Sequence, residues 1–531
     1  MLRCVRRVLS AICCVALIMA MTIITSPVPA TAASGPLEPV HDVPTSPAVN
    51  VNYVHDAINS YWGIDIPPNA AISDTKNAVN MKYLLGMVDI ANARLGTTTS
   101  YGTGEYATSG AVSQNTANNA IKTLIRRSYP FTITTTSTNS FSFNISASGL
   151  FYIDWGDGTE MQQIVKTDTN TQTISHTYTS TGAHTIKMGG RATGYSAAAA
   201  ISFAQNTTLA KISGSLGRIF VTQSDGTQPS FSSAFMGCTN LSGSIPAELF
   251  AGISGAPRTS MFEDTFNGCV GLTGAIPSGL FSGITGAPAT LMFKHTFYGC
   301  TGLTSIPSGL FSGISGPPQS SMFNGTFYGC TGLRGAVPSG LFSGVTGAPA
   351  YAMFHETFYG CSGLTSIPAN LFAGVSGAPA GLMFKNTFYG CSGLTSIPSG
   401  LFAGISGAPA SSMFNSTFAN CTGLTSIPSG LFAGVNGAAA SAMYYSTFSG
   451  CTGLSGQIPV GVFGTLSGSP ASLMFKQTFS GCSGLTGPSA RNPNGTYLYN
   501  VFSSATASHV GSMYYGVKSL SDYSSIPSAW K

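Results

Sequence analysis

Nine cysteines carry the most regular chemistry in the chain. Cys238, Cys269, Cys300, Cys330, Cys361, Cys391, Cys421, Cys451 and Cys482 follow one another at intervals of 31, 31, 30, 31, 30, 30, 30 and 31 residues. Thiols in such a ladder could cross-link, bind a metal or pack as small apolar groups. Metal sites need Cys and His a few residues apart, and no such cluster exists once the thirty-residue ladder is discounted. Copies in register point their side chains the same way and the count is odd, so disulfides are disfavoured. Nine reduced, buried thiols are the expectation, with no metal and no cofactor.

Two further sets recur with the cysteines. Between a fixed Met-Phe and a fixed Thr-Phe each copy carries two changeable residues: Glu263-Asp264, Lys294-His295, Asn324-Gly325, His355-Glu356, Lys385-Asn386, Asn415-Ser416, Tyr445-Ser446 and Lys476-Gln477, the Phe of the fixed pair being Tyr444 in one copy. Nine charged residues lie between Phe231 and Leu485, and six of them fall in this column. Glu263, Asp264, Lys294, His295, His355, Glu356, Lys385 and Lys476 are therefore candidate partner-binding residues; a merely tolerant solvated face is the rival reading. The other set is a hydroxyl ladder, Thr304-Ser305, Thr365-Ser366, Thr395-Ser396 and Thr425-Ser426. Thr365, Thr395 and Thr425 would suit a repetitive polymer such as a glycan. Catalysis has little to stand on: of seven histidines only His295 and His355 fall inside the Cys-marked array, and neither has a Ser and a carboxylate in a triad-like context. The chain reads as a non-enzyme, a secreted enzyme with an unrecognised site being the weaker alternative.

A fixed period of this length is the signature of a solenoid, whose units bury their apolar faces only by stacking on neighbours. Within the unit around Cys300, Pro288 can open a helix, Phe293 and Phe297 lie one above the other at i and i+4, and Gly299 can close it, which predicts a helix of about eleven residues. On that helix the changeable pair lies opposite the phenylalanines and faces solvent. Residues 303–306 then read as a short strand, stopped by Pro307, and 308–312 as one more helical turn. Copies 31 residues long carry an extra glycine after the leucine, as in Leu272-Thr-Gly-Ala-Ile-Pro277, which predicts a glycine bulge. With Asn206 in the first Cys place and Val517 in the last, the array amounts to about eleven coils, each with one strand and one short helix. The predicted fold class is an α/β solenoid, preceded by a small β-sandwich and a short helical region.

The chain begins with three arginines within 1–7, an apolar run over 8–24 and Ala30-Thr31-Ala32, the pattern of a secretory signal peptide at 1–32. A membrane anchor is the rival, weakened by the Ser-Pro-Val-Pro that comes directly after the run. Cys13 and Cys14 lie inside the apolar run, which argues against lipid attachment. No later segment is long and apolar enough to span a bilayer, so a secreted or surface location is expected. Without Arg3, Arg6 and Arg7 the formal net charge falls from +5 to +2, which excludes a nucleic-acid footprint. A linker and weakly amphipathic patterns at 74–95 and 113–127 fill 33–128; Gly102-Thr-Gly104 is too short for a phosphate loop.

From 129 to 195 the pattern changes to alternating strands at 131–135, 141–145, 151–155, 173–178 and 184–188. Ile153-Asp-Trp-Gly-Asp-Gly-Thr159, followed by His176-Thr-Tyr178 and Gly182, resembles a PKD-type β-sandwich domain. The resemblance implies that Asp157, His176 and Tyr178 tie a turn and pack beside Trp155; the reading of Asp154 and Asp157 as an acid/base pair or calcium site is the alternative. Asp157-Gly158 is also a type I′ hairpin signal. From 196 to 531 the phrase Thr296-Phe-Tyr-Gly-Cys-Thr-Gly-Leu-Thr-Ser-Ile-Pro307, and the exchange of Cys with Asn at its fifth place, resemble the BspA-like leucine-rich repeats of bacterial surface proteins. That resemblance implies a secreted or surface-exposed binding protein, often adhesive, with no catalytic residues and with an extracellular protein or glycan as partner. A self-assembling cell-envelope protein that mainly binds itself is the alternative.

Overall fold

The computed structural model describes residues 130–159 and 161–531. The expected signal peptide, linker and two N-terminal helices lie outside the described residues. Residues 130–531 are strand-rich, with short strands in a repeating pattern and no helical bundle among those described.

All five strands expected between 131 and 188 form, as parts of β1 (Phe131–Thr135), β2 (Thr138–Ile145), β3 (Ala147–Asp154), β5 (Gln172–Gly182) and β6 (Thr185–Tyr195), with Trp155 and His184 falling just outside β3 and β6. Alternation explains them, since Phe131, Ile133, Phe141, Phe143, Ile145 and Ile186 all turn inward and are buried. β4 (Gln162–Lys166) escapes such a reading because Ile164 is its only buried apolar side chain. The strands make two antiparallel sheets, ordered β4-β3-β6-β1-β8 and β5-β2-β7, in which β7 (Ile201–Ser202) and β8 (Leu209–Gly214) come from the segment that carries Asn206. The expected type I′ turn is absent: β3 and β4 are joined by a longer loop, and Asp157 does not have the positive φ that such a turn demands. Its carboxylate instead accepts the Thr159 N–H at 3.0 Å, as Asp154 accepts that of Gly156 at 3.0 Å, so two short Asx turns take the hairpin's place.

Beyond 230 the copies add parallel ladders. β9 (Gly274–Ala275) pairs with β10 (Leu303–Ser305), β11 (Gly335–Ala336) with β12 (Leu364–Ser366), and β14 (Ser455–Gln457) with β16 (Gly484–Thr486). The register slips beside Gly274 and Gly335, whose φ values are +81° and +79°, as the bulge expectation requires. A second ladder, which the repeat pattern does not announce, runs through the Gly-Ala-Pro segment by bridges such as Gly286↔Ile314, Gly316↔Val345 and Gly377↔Ile405, and ends in β13 (Asn436–Ala438) against β15 (Thr465–Ser467).

The predicted helix in each copy does not form, and no helix occurs between 231 and 497. A chain of tight turns stands there. In the Cys300 copy the N–H groups of Lys294, Thr296 and Tyr298 donate three residues back, to Leu291, Phe293 and His295. The alternate N–H groups of Phe293, His295, Phe297 and Gly299 donate to the next copy, at Met322, Asn324, Thr326 and Tyr328, over 2.7–3.0 Å. Every fourth residue must then be left-handed, at Leu291 (φ 60°), His295 (53°) and Gly299 (69°). The cause is spacing. Phe297 stacks on Phe266 and on Phe327 at 5.7 Å, and Phe293 on Phe262 and Phe323 at 5.7 and 5.8 Å. Two helices need about 8–10 Å between axes, so copies stacked this closely have no room for them, and inter-copy bonds replace half of the helical ones.

The two ends of the array are closed differently. At the start, Ser146 donates to Ala200 and Ala200 to Ser230, so the second sheet leads into the ladder. At the finish α1 (Leu498–Val501), α2 (Ala507–Val510) and two 3-10 turns bury Leu498, Val510 and Trp530, and the Tyr514 N–H donates to the Trp530 carbonyl at 3.1 Å.

Candidate functional site

The turn chains position the charged column, and they change its character. Each pair sits half-buried or buried between neighbouring copies rather than standing free on the far side of a helix, which corrects the solvent-facing expectation. Copies 5–6 Å apart bring equivalent side chains into contact, so they pair along the column. Lys294 Nζ meets Glu263 Oε1 at 2.9 Å and His295 Nδ1 lies 3.3 Å from Asp264 Oδ1, both across copies, while within one copy His355 Nε2 lies 3.4 Å from the adjacent Glu356 Oε1. Asn386 donates to Glu356 at 3.2 Å. The His295 ring also covers the Cα of Gly325, where a Cβ would collide with it. Burial alone would raise the Asp264 carboxyl, but hydrogen bonds from His295 and Asn267 outweigh it and hold it below the usual range. Burial pushes the His355 imidazole down; Glu356 opposes this, and Lys385 and His295 reinforce it. His355 Nε2 and Asn324 Oδ1, side by side in this column, make no hydrogen bond among the described residues. Lys476 stands three copies beyond Lys385 in the same column, apart from these pairs.

Of the expected strand positions of the hydroxyl ladder, Thr365 lies in β12, while no strand forms at Thr395 or Thr425. Thr365, Thr395 and Thr425 are exposed on three consecutive copies. The Thr395 N–H donates to Thr365 at 3.4 Å and that of Thr425 to Thr395 at 3.3 Å, so the backbone fixes their spacing. Ser455 continues the row, its N–H on the Thr425 carbonyl at 3.1 Å, whereas Arg334 interrupts it between Thr304 and Thr365.

Three sets of side chains go beyond what the repeat pattern alone conveys. Tyr298, Tyr328, Tyr359 and Tyr389 stack face to face at 4.3, 4.3 and 4.5 Å, half-buried beside the charged column. Their faces cover one another, so edges and hydroxyls remain to be recognised. The signal is the Tyr of the repeated Phe-Tyr-Gly-Cys, which apolar patterning leaves without a role. Each of the nine described cysteines has its Sγ 3.0–3.1 Å from the carbonyl of a Phe in the preceding copy, as Cys391 on Phe358. The thiols are therefore weak donors between copies as well as apolar filling. All nine are free and buried, and burial pushes Cys330, Cys421 and Cys482 up to about 12. The fully buried threonines act likewise: Thr357 Oγ1 donates to Phe323 at 3.0 Å, Thr387 to Phe354 at 2.9 Å and Thr417 to Phe384 at 2.9 Å.

At Asp157 the chemistry is spoken for by its surroundings. Burial opposes ionisation, but the Thr159 hydroxyl and N–H and the His176 ring, 2.7 Å away, together lower its pKa to about 2. His176 stacks on buried Trp155 at 4.9 Å, and the Tyr178 hydroxyl donates to the Trp155 carbonyl at 3.2 Å. Among the described residues no three His, Cys, Asp or Glu side chains converge as a metal would need, and no helix is long and apolar enough to cross a membrane. No family model matches the chain, and neither a curated protein nor a solved structure matches it.

Proposed function

We propose that the chain is a secreted or surface-exposed, non-catalytic binding and adhesion protein, in which a leucine-rich-repeat-like solenoid of the BspA type, preceded by a PKD-like domain, presents its strand face to an extracellular glycan. The observation that carries the reading is the row of exposed Thr365, Thr395 and Thr425 hydroxyls, held at a fixed step by backbone bonds. A ligand that itself repeats can meet such a row with the same contact many times, and individually weak contacts then add. The charged column is less suited to this role, because several of its side chains are already engaged with one another, as Lys294 is with Glu263 and His295 with Asp264. The self-assembling envelope alternative would need the array to extend end to end, and at the far end the Tyr514 donor is already taken by Trp530.

The test begins with a glycan and matrix-protein array probed with the mature chain. For a glycan so found, replacing Thr365, Thr395 and Thr425 together by Val abolishes binding, and charge reversal at Lys294, Glu356 and Lys385 leaves it normal. The opposite pattern, with binding that weakens as salt rises, would assign a protein partner to the column instead. If neither triple variant changes binding, the site lies outside the repeats.

A further inference from the structure

The cleft where the sheets meet the first Gly-Ala-Pro segment contains the one charged residue at a half-buried place of the repeat that is otherwise alanine or, once, glutamine. Arg258 occupies a place held elsewhere by Ala289, Gln319, Ala350, Ala380, Ala410, Ala440 and Ala471. In those copies the residue's backbone N–H rests on a methionine sulfur at 3.3–3.4 Å, and no side chain there carries a charge. In the first copy a guanidinium appears instead, and it appears where a cleft of about 450 Å³ opens, lined with it by Tyr195, Ser196, Thr227, Gln228 and Pro257. That volume lies in the range of small-ligand sites, about 300–1,000 Å³.

The guanidinium is held in place. Its Nη1 donates to the Ser196 carbonyl at 2.8 Å and the Gln228 carbonyl at 3.2 Å, one from each side of the junction. Gln228 is itself buried and fixed, its Oε1 accepting from Thr222 at 3.0 Å. Among the described residues no carboxylate pairs with Arg258, and its remaining N–H donors keep the fork geometry that matches a carboxylate. Burial lowers its pKa without a partner to compensate, so a half-desolvated cation stands in a polar cleft. Asp225, beside the lining residue Gly226, is engaged by Thr227, whose N–H donates to its carboxylate at 2.8 Å and whose side chain also bonds it. Thr227 and Ser196 add hydroxyls, Gln228 an amide wall and Tyr195 an aromatic one. One positive charge among neutral hydrogen-bonding groups matches a ligand with one negative charge and several hydroxyls.

We propose that this cleft is a binding site for an acidic sugar, with Arg258 taking the carboxylate and Thr227 and Ser196 the neighbouring hydroxyls. The site is separate from the hydroxyl ladder, and the two stand or fall independently. The test is calorimetric titration of the full chain with glucuronate, glucose and inorganic phosphate in parallel. Saturable binding of glucuronate, with none of glucose or phosphate at the same concentrations, is the expected result. R258Q, which keeps a donor for the two carbonyls but loses the charge, should weaken glucuronate binding at least tenfold, and T227V, on the exposed rim and remote from the core, severalfold. Equal binding of glucose, tighter binding of phosphate, no glucuronate binding at all, or wild-type affinity in both variants would each overturn the proposal. T365V/T395V/T425V should bind glucuronate as wild type does.

Discussion

The two-sheet region and the repeat array bury the same kinds of side chain but satisfy their backbones in different ways. In the sheets, β1 bonds β6 and β8 through alternate residues, and the period-two burial of Phe131, Ile133 and Thr135 can be seen in the sequence itself. In the turn chains alternate N–H groups bond within the copy and to the next copy, so half of the local structure is decided by residues about thirty positions away. The i, i+4 spacing of Phe293 and Phe297 is common to a helix and to a chain of four-residue turns. Periodicity alone cannot tell them apart; the distance to the neighbouring copy does. Local pattern therefore reads well where an element's partners do not alter its shape, and poorly where they do.

The largest expected effect comes from removing the far end. Deleting 500–531 exposes the Phe475 and Phe479 layer and the unmet donors beneath it, and should turn a soluble chain into an aggregating one in sedimentation. A soluble, monomeric truncation would show that Trp530 and its neighbours are no cap. Next is the loss of a stacking ring. Phe358→Ala or Phe388→Ala, each fully buried between two like rings at 5.5–5.6 Å, should cost about 3–5 kcal/mol in urea unfolding. A cost near 1 kcal/mol would mean that copies yield separately instead of as a stack.

Smaller still is the removal of an inter-copy hydroxyl. Thr387→Val keeps the shape and deletes the bond to Phe354, at a cost of about 1 kcal/mol. Thr173→Val in the sheets deletes an exposed bond to Asn144 and should cost close to nothing. Equal effects would erase the distinction between the two regions. The smallest effect is one of pH. His355 has a folded pKa below its unfolded value of about 6.5, so below that pH the unfolded chain takes up a proton that the folded chain resists. Stability should fall as pH drops from about 6.5 towards the lowered pKa, and His355→Asn, the residue found at Asn324 and Asn415, should remove that part of the slope. A slope unchanged in the variant would place the titration elsewhere.

Much of the candidate site was legible. The column of pairs, the hydroxyl ladder and the burial of the thiols can all be had by comparing copies within one chain. What the sequence hid is contact between copies. Nothing in Glu263 or Lys294 alone says that they lie 2.9 Å apart, nor in Cys391 that its sulfur reaches the Phe358 carbonyl, because both depend on how closely the units stack. Tyr298 and its three partners were hidden for the same reason. Arg258 is one of three charges between Phe231 and Leu485 that fall outside the column, and it takes the cleft beside it to give it meaning.

The claim on which the rest depends is that the most regular chemistry in the chain, its cysteines, serves as fastening between copies and not as reactive or cross-linking groups. Thiol titration of the mature protein, without reductant, tests it most directly. No thiol should react in the native state, since all nine are fully buried with raised pKa values, and nine should react after unfolding. Prompt reaction of the native protein, or fewer than nine thiols in the unfolded one, would contradict the account.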